Sequence, residues 1–213
     1  MPQTHQASPA PRFVPAANRA ALSVELGLAP AANQTLVGII GRLTEQKGYD
    51  LVLAALPELM KLPIELAVLG SGDPALEAAF AAAVIRYPGR IGLKLGYDEG
   101  LAHRIEAGAD LFLMPSRFEP CGLNQMYSMA YGTLPIVRAT GGLADTVTGW
   151  DGKKKGTGIV FEHADQGGIE WALRRALELY QQPAAYQALQ QTAMSAEFSW
   201  AKSAEAHLEC YLA

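Results

Sequence analysis

Short apolar runs and helical segments alternate along this chain at least five times, and few patterns narrow the choice of fold as far. Residues 35–41 (TLVGIIG), 64–70 (IELAVLG), 90–95, 110–114, 133–137 and 159–161 are strand-type runs, apolar and in part β-branched. Helical segments fall between and after them. Residues 19–26 form one, with Asn18 as its N-cap and Gly27 as its stop. Residues 50–61 form the next, with Leu51, Leu53, Ala54 and Leu59 on its apolar side. Asp73 caps a third, with Pro74 in its first position, and it runs to about residue 87. Residues 98–107 and 165–181 follow, the latter with Trp171, Leu173, Ala176, Leu177 and Tyr180 at three- and four-residue spacing. Residues 183–196 and 200–212 complete the set. Such alternation predicts an α/β fold, a doubly wound, Rossmann-like parallel sheet with helices on both faces. Sheets of this kind bind ligands outside the carboxyl ends of their strands, where the strand order reverses. The loops after Gly41, Leu95, Met114 and Val137 all leave carboxyl ends, so their residues converge on one edge.

The densest chemistry lies in residues 115–146, PSRFEPCGLNQMYSMAYGTLPIVRATGGLADT. Gly122 opens a helix to about Tyr131, a strand follows, and Thr140-Gly141-Gly142-Leu143 turns into a second helix. Each helix start offers backbone N–H groups and the positive end of a dipole. Two of them side by side, with an arginine nearby, suit a diphosphate. Gly122, Leu123, Gly141, Gly142 and Leu143 would act through their N–H groups, their side chains being small or packed underneath. The plainer reading, that the glycines only turn the chain, is the usual role of glycine.

Composition excludes several classes. A net charge of −4 argues against a nucleic-acid binder. No apolar run approaches the roughly 20 residues of a membrane span. Cys121 and Cys210 are too few for a disulfide framework, so a reducing, cytoplasmic setting is the default. No Cys/His spacing suggests a metal site. Residues 1–17, rich in Pro and Ala, lack the pattern of a secretory signal and read as a flexible lead or linker stump. Residues 18–213 read as one domain.

The segments SRFEPCGL (116–123), QMY (125–127), YGTLPIVR (131–138) and TGGLADTV (140–147), with GRLTEQKG (41–48), resemble the bacterial glycogen and plant starch synthases. These are retaining glycosyltransferases of the GT-B fold, and the resemblance covers the nucleotide-sugar-binding C-terminal domain, from about Asn18 onward. It implies transfer of glucose from ADP-glucose to the 4-hydroxyl end of an α-1,4-glucan. It implies no metal and no cofactor, because arginine and lysine serve the phosphates.

The resemblance also assigns roles. Arg42 and Lys47 would hold the diphosphate and offset the charge of the leaving nucleotide; by charge alone they read as a solvated loop pair. Glu119 would bind hydroxyls of the donor sugar, although a loop glutamate can equally bond its own turn. Tyr97 matches the residue that stacks on the base, and covering a core edge is its alternative reading. Tyr127 stands where the wider GT-B class carries a second glutamate for the ribose, which marks the glycogen and starch synthase branch and leaves the ribose contact unassigned. Asn124 stands where the family usually has threonine. Thr140 and Cys121 belong to the motifs, Cys121 as a small buried residue, and Arg117 would orient Glu119. His103, His163 and His207 read as structural or surface residues, Tyr180 and Trp200 as core. GSGD at 70–73 is a weak match to a dinucleotide fingerprint and reads as a helix start.

Relatives of this family carry an N-terminal domain of about equal size that reaches the acceptor glucan, and no such motif precedes Thr35. The expectation is therefore a domain that binds nucleotide weakly and transfers no glucose alone at a useful rate. Its bare domain face suits self-association, and its last helix would dock back, dangle or pair with another chain. Two other readings stay open: a stand-alone or split-enzyme ADP-sugar binding module, and another nucleotide-sugar GT-B glycosyltransferase.

Overall fold

The computed structural model describes residues 15–29, 33–153 and 155–212. Most of the lead segment, residues 1–14, therefore lies outside the described residues. The elements run α1 (Pro15–Glu25), β1 (Thr35–Ile40), a 3-10 turn (Glu45–Lys47), α2 (Tyr49–Leu59), β2 (Ile64–Gly70), α3 (Pro74–Arg86), β3 (Ile91–Leu95), α4 (Glu99–Gly108) and β4 (Leu111–Met114). There follow α5 (Asn124–Ala130), β5 (Leu134–Arg138), α6 (Gly141–Thr146), β6 (Ile159–Phe161), α7 (Gln166–Tyr180), α8 (Pro183–Met194) and α9 (Trp200–Leu212). The strands form a six-stranded sheet in the order β3-β2-β1-β4-β5-β6, and every pairing is parallel. The order reverses between β1 and β4, so the crevice predicted from the alternation opens between the loops after those two strands.

Burial on both faces explains the near-continuous apolar strands: every residue of β2 is buried. One face packs α2, α3 and α7 in the larger apolar cluster, with Val52, Phe80, Leu173 and Ala176 inside it. The other packs α1 and α4 through Leu22, Leu101 and Ile105. Gly38, in the middle of β1, sets how closely α4 can lie. A Cβ there would meet Ile105 Cγ2 at 2.7 Å, so only glycine admits the helix at this depth.

Several sequence expectations shift. The first helix begins at Pro15, inside the segment read as a lead, and Asn18 is not its cap but donates from Nδ2 to the Ala107 carbonyl at 3.3 Å. The buried face of α2 is Tyr49, Val52, Ala55, Leu56 and Leu59. Leu51 and Leu53 only flank it and Ala54 is exposed, because positions 49, 52, 55, 56 and 59 share one face at three- and four-residue spacing and 51, 53 and 54 lie beside it. Trp171 is exposed, and α7 instead buries Ile169, Ala172, Leu173, Ala176, Leu177 and Leu179. Trp200 is not core but 91% exposed, since α9 contributes no residue to either apolar cluster among the described residues. Gly122 does not open α5. It takes a left-handed φ of 73°, and the helix starts at Asn124. Asp73 and Asp98 cap α3 and α4, accepting from Ala75 N and Leu101 N.

Away from the crevice, at the amino ends of β1 and β4, Asp110 gathers a polar cluster. Its carboxylate accepts from Arg19, from Leu36 N at 2.7 Å and from Tyr180 Oη at 3.2 Å, while Tyr186 Oη donates to its carbonyl at 2.8 Å. Burial still raises the Asp110 carboxyl above its usual range, against the pull of Arg19. No helix among the described residues is long and apolar enough to cross a membrane.

Candidate functional site

The loop after β1 and the loop after β4 are tied to each other before any ligand is considered. The 3-10 turn closes on Gly48, whose φ is 73° and whose α-carbon lies so near the other loop that a Cβ would sit 2.1 Å from the Pro115 carbonyl oxygen. Arg117 N donates to the Gln46 carbonyl at 2.8 Å, and Gln46 Nε2 donates to the Phe118 carbonyl at 3.3 Å. The Arg117 guanidinium forks onto Asp50, Nη1 to Oδ1 at 2.6 Å and Nη2 to Oδ2 at 2.7 Å, and also reaches the Glu45 carbonyl. That guanidinium holds the Asp50 carboxyl below the usual carboxylate range. Arg117 therefore does not orient Glu119, contrary to expectation; it fastens the β4 loop to the start of α2. From the other side Arg138, at the end of β5, donates to the Ser116 carbonyl at 2.7 Å and to the Arg117 carbonyl.

Glu119 is 7% exposed. Lys47 forms an ion pair with its Oε2, and Ser116 Oγ donates to the same oxygen at 3.2 Å. The three residues read from sequence as the reactive set thus sit on adjoining loops: Arg42, exposed, is linked through Gln46 at 3.5 Å to the turn that carries Lys47. Beneath them Tyr49 donates to the Ile40 carbonyl at 3.1 Å, and burial together with the Glu119 charge pushes its hydroxyl well above its ordinary pKa.

The glycine turn at the start of α6 is adjacent, but its use differs from the expectation. Gly142 N donates to the Glu119 carbonyl at 3.0 Å, and Leu143 N turns back to the Thr140 carbonyl at 3.1 Å. Those two N–H groups serve the loop and the helix. A Cβ on Gly141 would lie 2.2 Å from the Glu119 carbonyl oxygen, and one on Gly142 would lie 2.0 Å from that of Cys121. The glycines are needed because the Glu119–Cys121 backbone rests directly on them. Leu143 is fully buried beneath the turn, whereas Leu123 is 51% exposed. Cys121 is exposed rather than buried. Gln125, fully buried, knits α5 to α6 by donating to the Gly122 carbonyl and to Thr146 Oγ1, each at 3.0 Å.

Beside these loops lies a cavity of about 340 Å³ at the carboxyl ends of β1, β2 and β3. Arg42, Tyr97, Asn124 and Tyr127 line it, so the structure brings together four residues that the sequence places up to 85 apart. Tyr97 is 88% exposed and covers no core edge. Asn124 donates from Nδ2 to the Ile40 carbonyl at 3.2 Å, holding the α5 start against β1. Lys47, Glu119, Cys121 and the 140–143 turn stand on the neighbouring loops and not on the cavity wall. Gly70 and Ser71, from the weak fingerprint, line the wall instead.

Two lining residues escaped the sequence reading. His103 and Glu106 project from α4 into the cavity, with Nδ1 and Oε2 3.2 Å apart. Glu106 is 2% exposed, and burial raises its carboxyl above the usual range. Their three-residue spacing on a helix was visible, but nothing in the sequence says that this face of α4 borders the crevice. Among the described residues there is no group of three or more His, Cys, Asp or Glu that could hold a metal ion.

Residues 28–193 match the family described as Glycosyl transferases group 1. A glycogen synthase from Anaeromyxobacter sp. strain Fw109-5 is 53% identical over 196 residues, and one from Alkalilimnicola ehrlichii is 52% identical over 200. Each match covers 92% of this chain and 41% of the relative, so the chain spans well under half the length of these proteins. The catalytic domain of starch synthase IV from Arabidopsis thaliana, solved with ADP and acarbose, superimposes with a TM-score of 0.82 at 38% identity, covering 92% of this chain and 42% of that one.

Proposed function

The chain belongs to the Glycosyl transferases group 1 family, as a domain of the glycogen and starch synthase type, and on that premise we propose that it is the donor-binding half of an enzyme transferring glucose from ADP-glucose to the 4-hydroxyl end of an α-1,4-glucan. The observation that carries this reading is the cavity at the carboxyl ends of β1, β2 and β3, with Tyr97, Tyr127 and Arg42 on its wall and the Lys47–Glu119 loops of the β1/β4 switch point beside it. The wall suits a nucleoside, with Tyr97 presenting a ring face to the base, since stacking contributes roughly 1–3 kcal/mol. Arg42, exposed on that wall, can take a diphosphate that leaves the nucleoside, and Lys47 stands on the turn to which Gln46 links it.

Charge develops on the nucleotide as the glycosidic bond breaks. A guanidinium and an ammonium drawn onto the phosphates of the bound nucleotide lower that barrier without a metal. Lys47 exchanges Glu119 for phosphate oxygen, and the released Glu119 carboxylate accepts hydroxyls of the glucosyl unit. The Gly142 N–H keeps the Glu119 backbone in place during this exchange. The acceptor glucan is reached through an N-terminal domain, consistent with the 41% of its relatives that this chain covers, and the enzyme works in the cytoplasm.

Calorimetric titration with ADP-glucose, ADP and UDP-glucose tests the reading. The ADP ligands should bind, and Arg42→Ala should weaken them by about tenfold, the loss of one charge-assisted contact. Preference for UDP-glucose would move the chain to another nucleotide-sugar branch. Binding of none of the three would remove the donor-site assignment.

A further inference from the structure

Tyr97 can meet the flat face of a base and Arg42 a phosphate, but a nucleotide also carries a vicinal diol. Tyr127 brings no charge to it. The cavity wall holds three carboxylates: Asp98, Glu99 and Glu106. Asp98 is engaged as the cap of α4, accepting from Leu101 N at 2.8 Å. Glu99 is exposed in the first turn of that helix. Glu106 differs from both. It is 2% exposed, its Oε2 is held by His103 at 3.2 Å, and its other oxygen accepts no hydrogen bond from any described residue. Glu106 lines the cavity, so that oxygen can be completed by a hydrogen-bond donor of a bound ligand. A diol does so, because two adjacent hydroxyls donate to one carboxylate.

The depth of α4 is itself specified. Gly38 admits Ile105, the residue before Glu106, and Thr133 Oγ1 donates to the Glu106 carbonyl. The helix backbone is thus clamped where the carboxylate emerges. We infer that Glu106, oriented by His103, is the ribose-binding residue of this site and reads the 2′- and 3′-hydroxyls of the nucleotide. This rests on the nucleotide-binding reading above, and it adds a specificity residue on α4 to one built from the β1, β3 and β4 loops.

The test compares ADP, 2′-deoxy-ADP and 3′-deoxy-ADP by calorimetry on the full chain and on Glu106→Gln and His103→Gln. The unaltered chain should bind ADP about tenfold more tightly than either deoxy analogue, as expected for a hydrogen bond to a charged group. Glu106→Gln should bring the three affinities to within about twofold, and His103→Gln should reduce the discrimination partway. Equal binding of all three by the unaltered chain would overturn the inference, and that result needs no variant to fold. So would a Glu106→Gln protein that binds every ligand more weakly but keeps the ratio, since that is the mark of a structural role or of contact with the base. Failure of the unaltered chain to bind ADP at all would instead strike the donor-site reading, and this inference with it.

Discussion

At the scale of single residues, the site is shaped by close approach more than by charge. Gly142 lies where a Cβ would be 2.0 Å from the Cys121 carbonyl oxygen, and the obstacle is backbone, which cannot rotate away. Gly142→Ala should therefore destabilise the fold by about 2 kcal/mol, seen as a fall in melting temperature on the order of 5 °C for a chain of this size. An unchanged melting curve would show that the Glu119–Cys121 loop does not rest on this turn. The motif itself was legible: the need for two glycines could be read from TGGL. Their purpose could not, because it depends on a loop some twenty residues earlier folding back onto them. Arg117 teaches the same lesson. Its motif neighbours suggested Glu119 as partner, whereas its fork closes on Asp50, 67 residues away.

At the scale of elements, the reactive loop is held at its start from two sides, by Asp50 on α2 and by Arg138 on β5. The Arg117 hydrogen bonds depress the Asp50 carboxyl below its ordinary value of 3.8. A depressed carboxyl contributes stability above its unfolded pKa and loses it as pH falls through the folded value. Asp50→Asn should cost about 1 kcal/mol near neutrality, the modest worth of a partly exposed forked pair. The gap between parent and variant should then close as the pH drops below 3.8. Melting curves of both proteins across that range check this; a gap constant with pH would mean that the pair's charge contributes nothing. The Asp110, Glu65 and Glu106 carboxyls run the other way. Burial raises each, so their effect on stability worsens as pH rises from the unfolded to the folded value.

At the scale of the molecule, the described residues divide into a sheet with two packed faces and a last helix that joins neither. Trp200, Leu208 and Tyr211 of α9 are 91%, 58% and 86% exposed. Of the three fates set out for this helix, the structure does not show docking back on the sheet. Removing residues 197–213 should leave the melting temperature within about 2 °C of the parent, since little apolar area leaves the core. A larger fall would mean that α9 packs on the domain in solution. The apolar side of this helix and the crevice-bearing edge are what the chain presents outward, in a protein covering 41% of the length of its glycogen synthase relatives.

The sequence by itself determined the kind of elements, their order and the parallel sheet. Strand and helix periodicities are local steric facts, and alternating elements joined by short loops admit few topologies. It also placed Arg42, Lys47, Glu119, Tyr97 and Tyr127 on loops and helix starts at one sheet edge. Tertiary structure decided which of them meet. The order β3-β2-β1-β4-β5-β6 puts the β1 and β4 loops side by side, which pairs Lys47 with Glu119 across 72 positions. The same order turns one face of α4 toward the crevice, with His103 and Glu106 on it. Helical spacing shows which residues share a face, but only packing against Gly38 and β1 decides where that face looks.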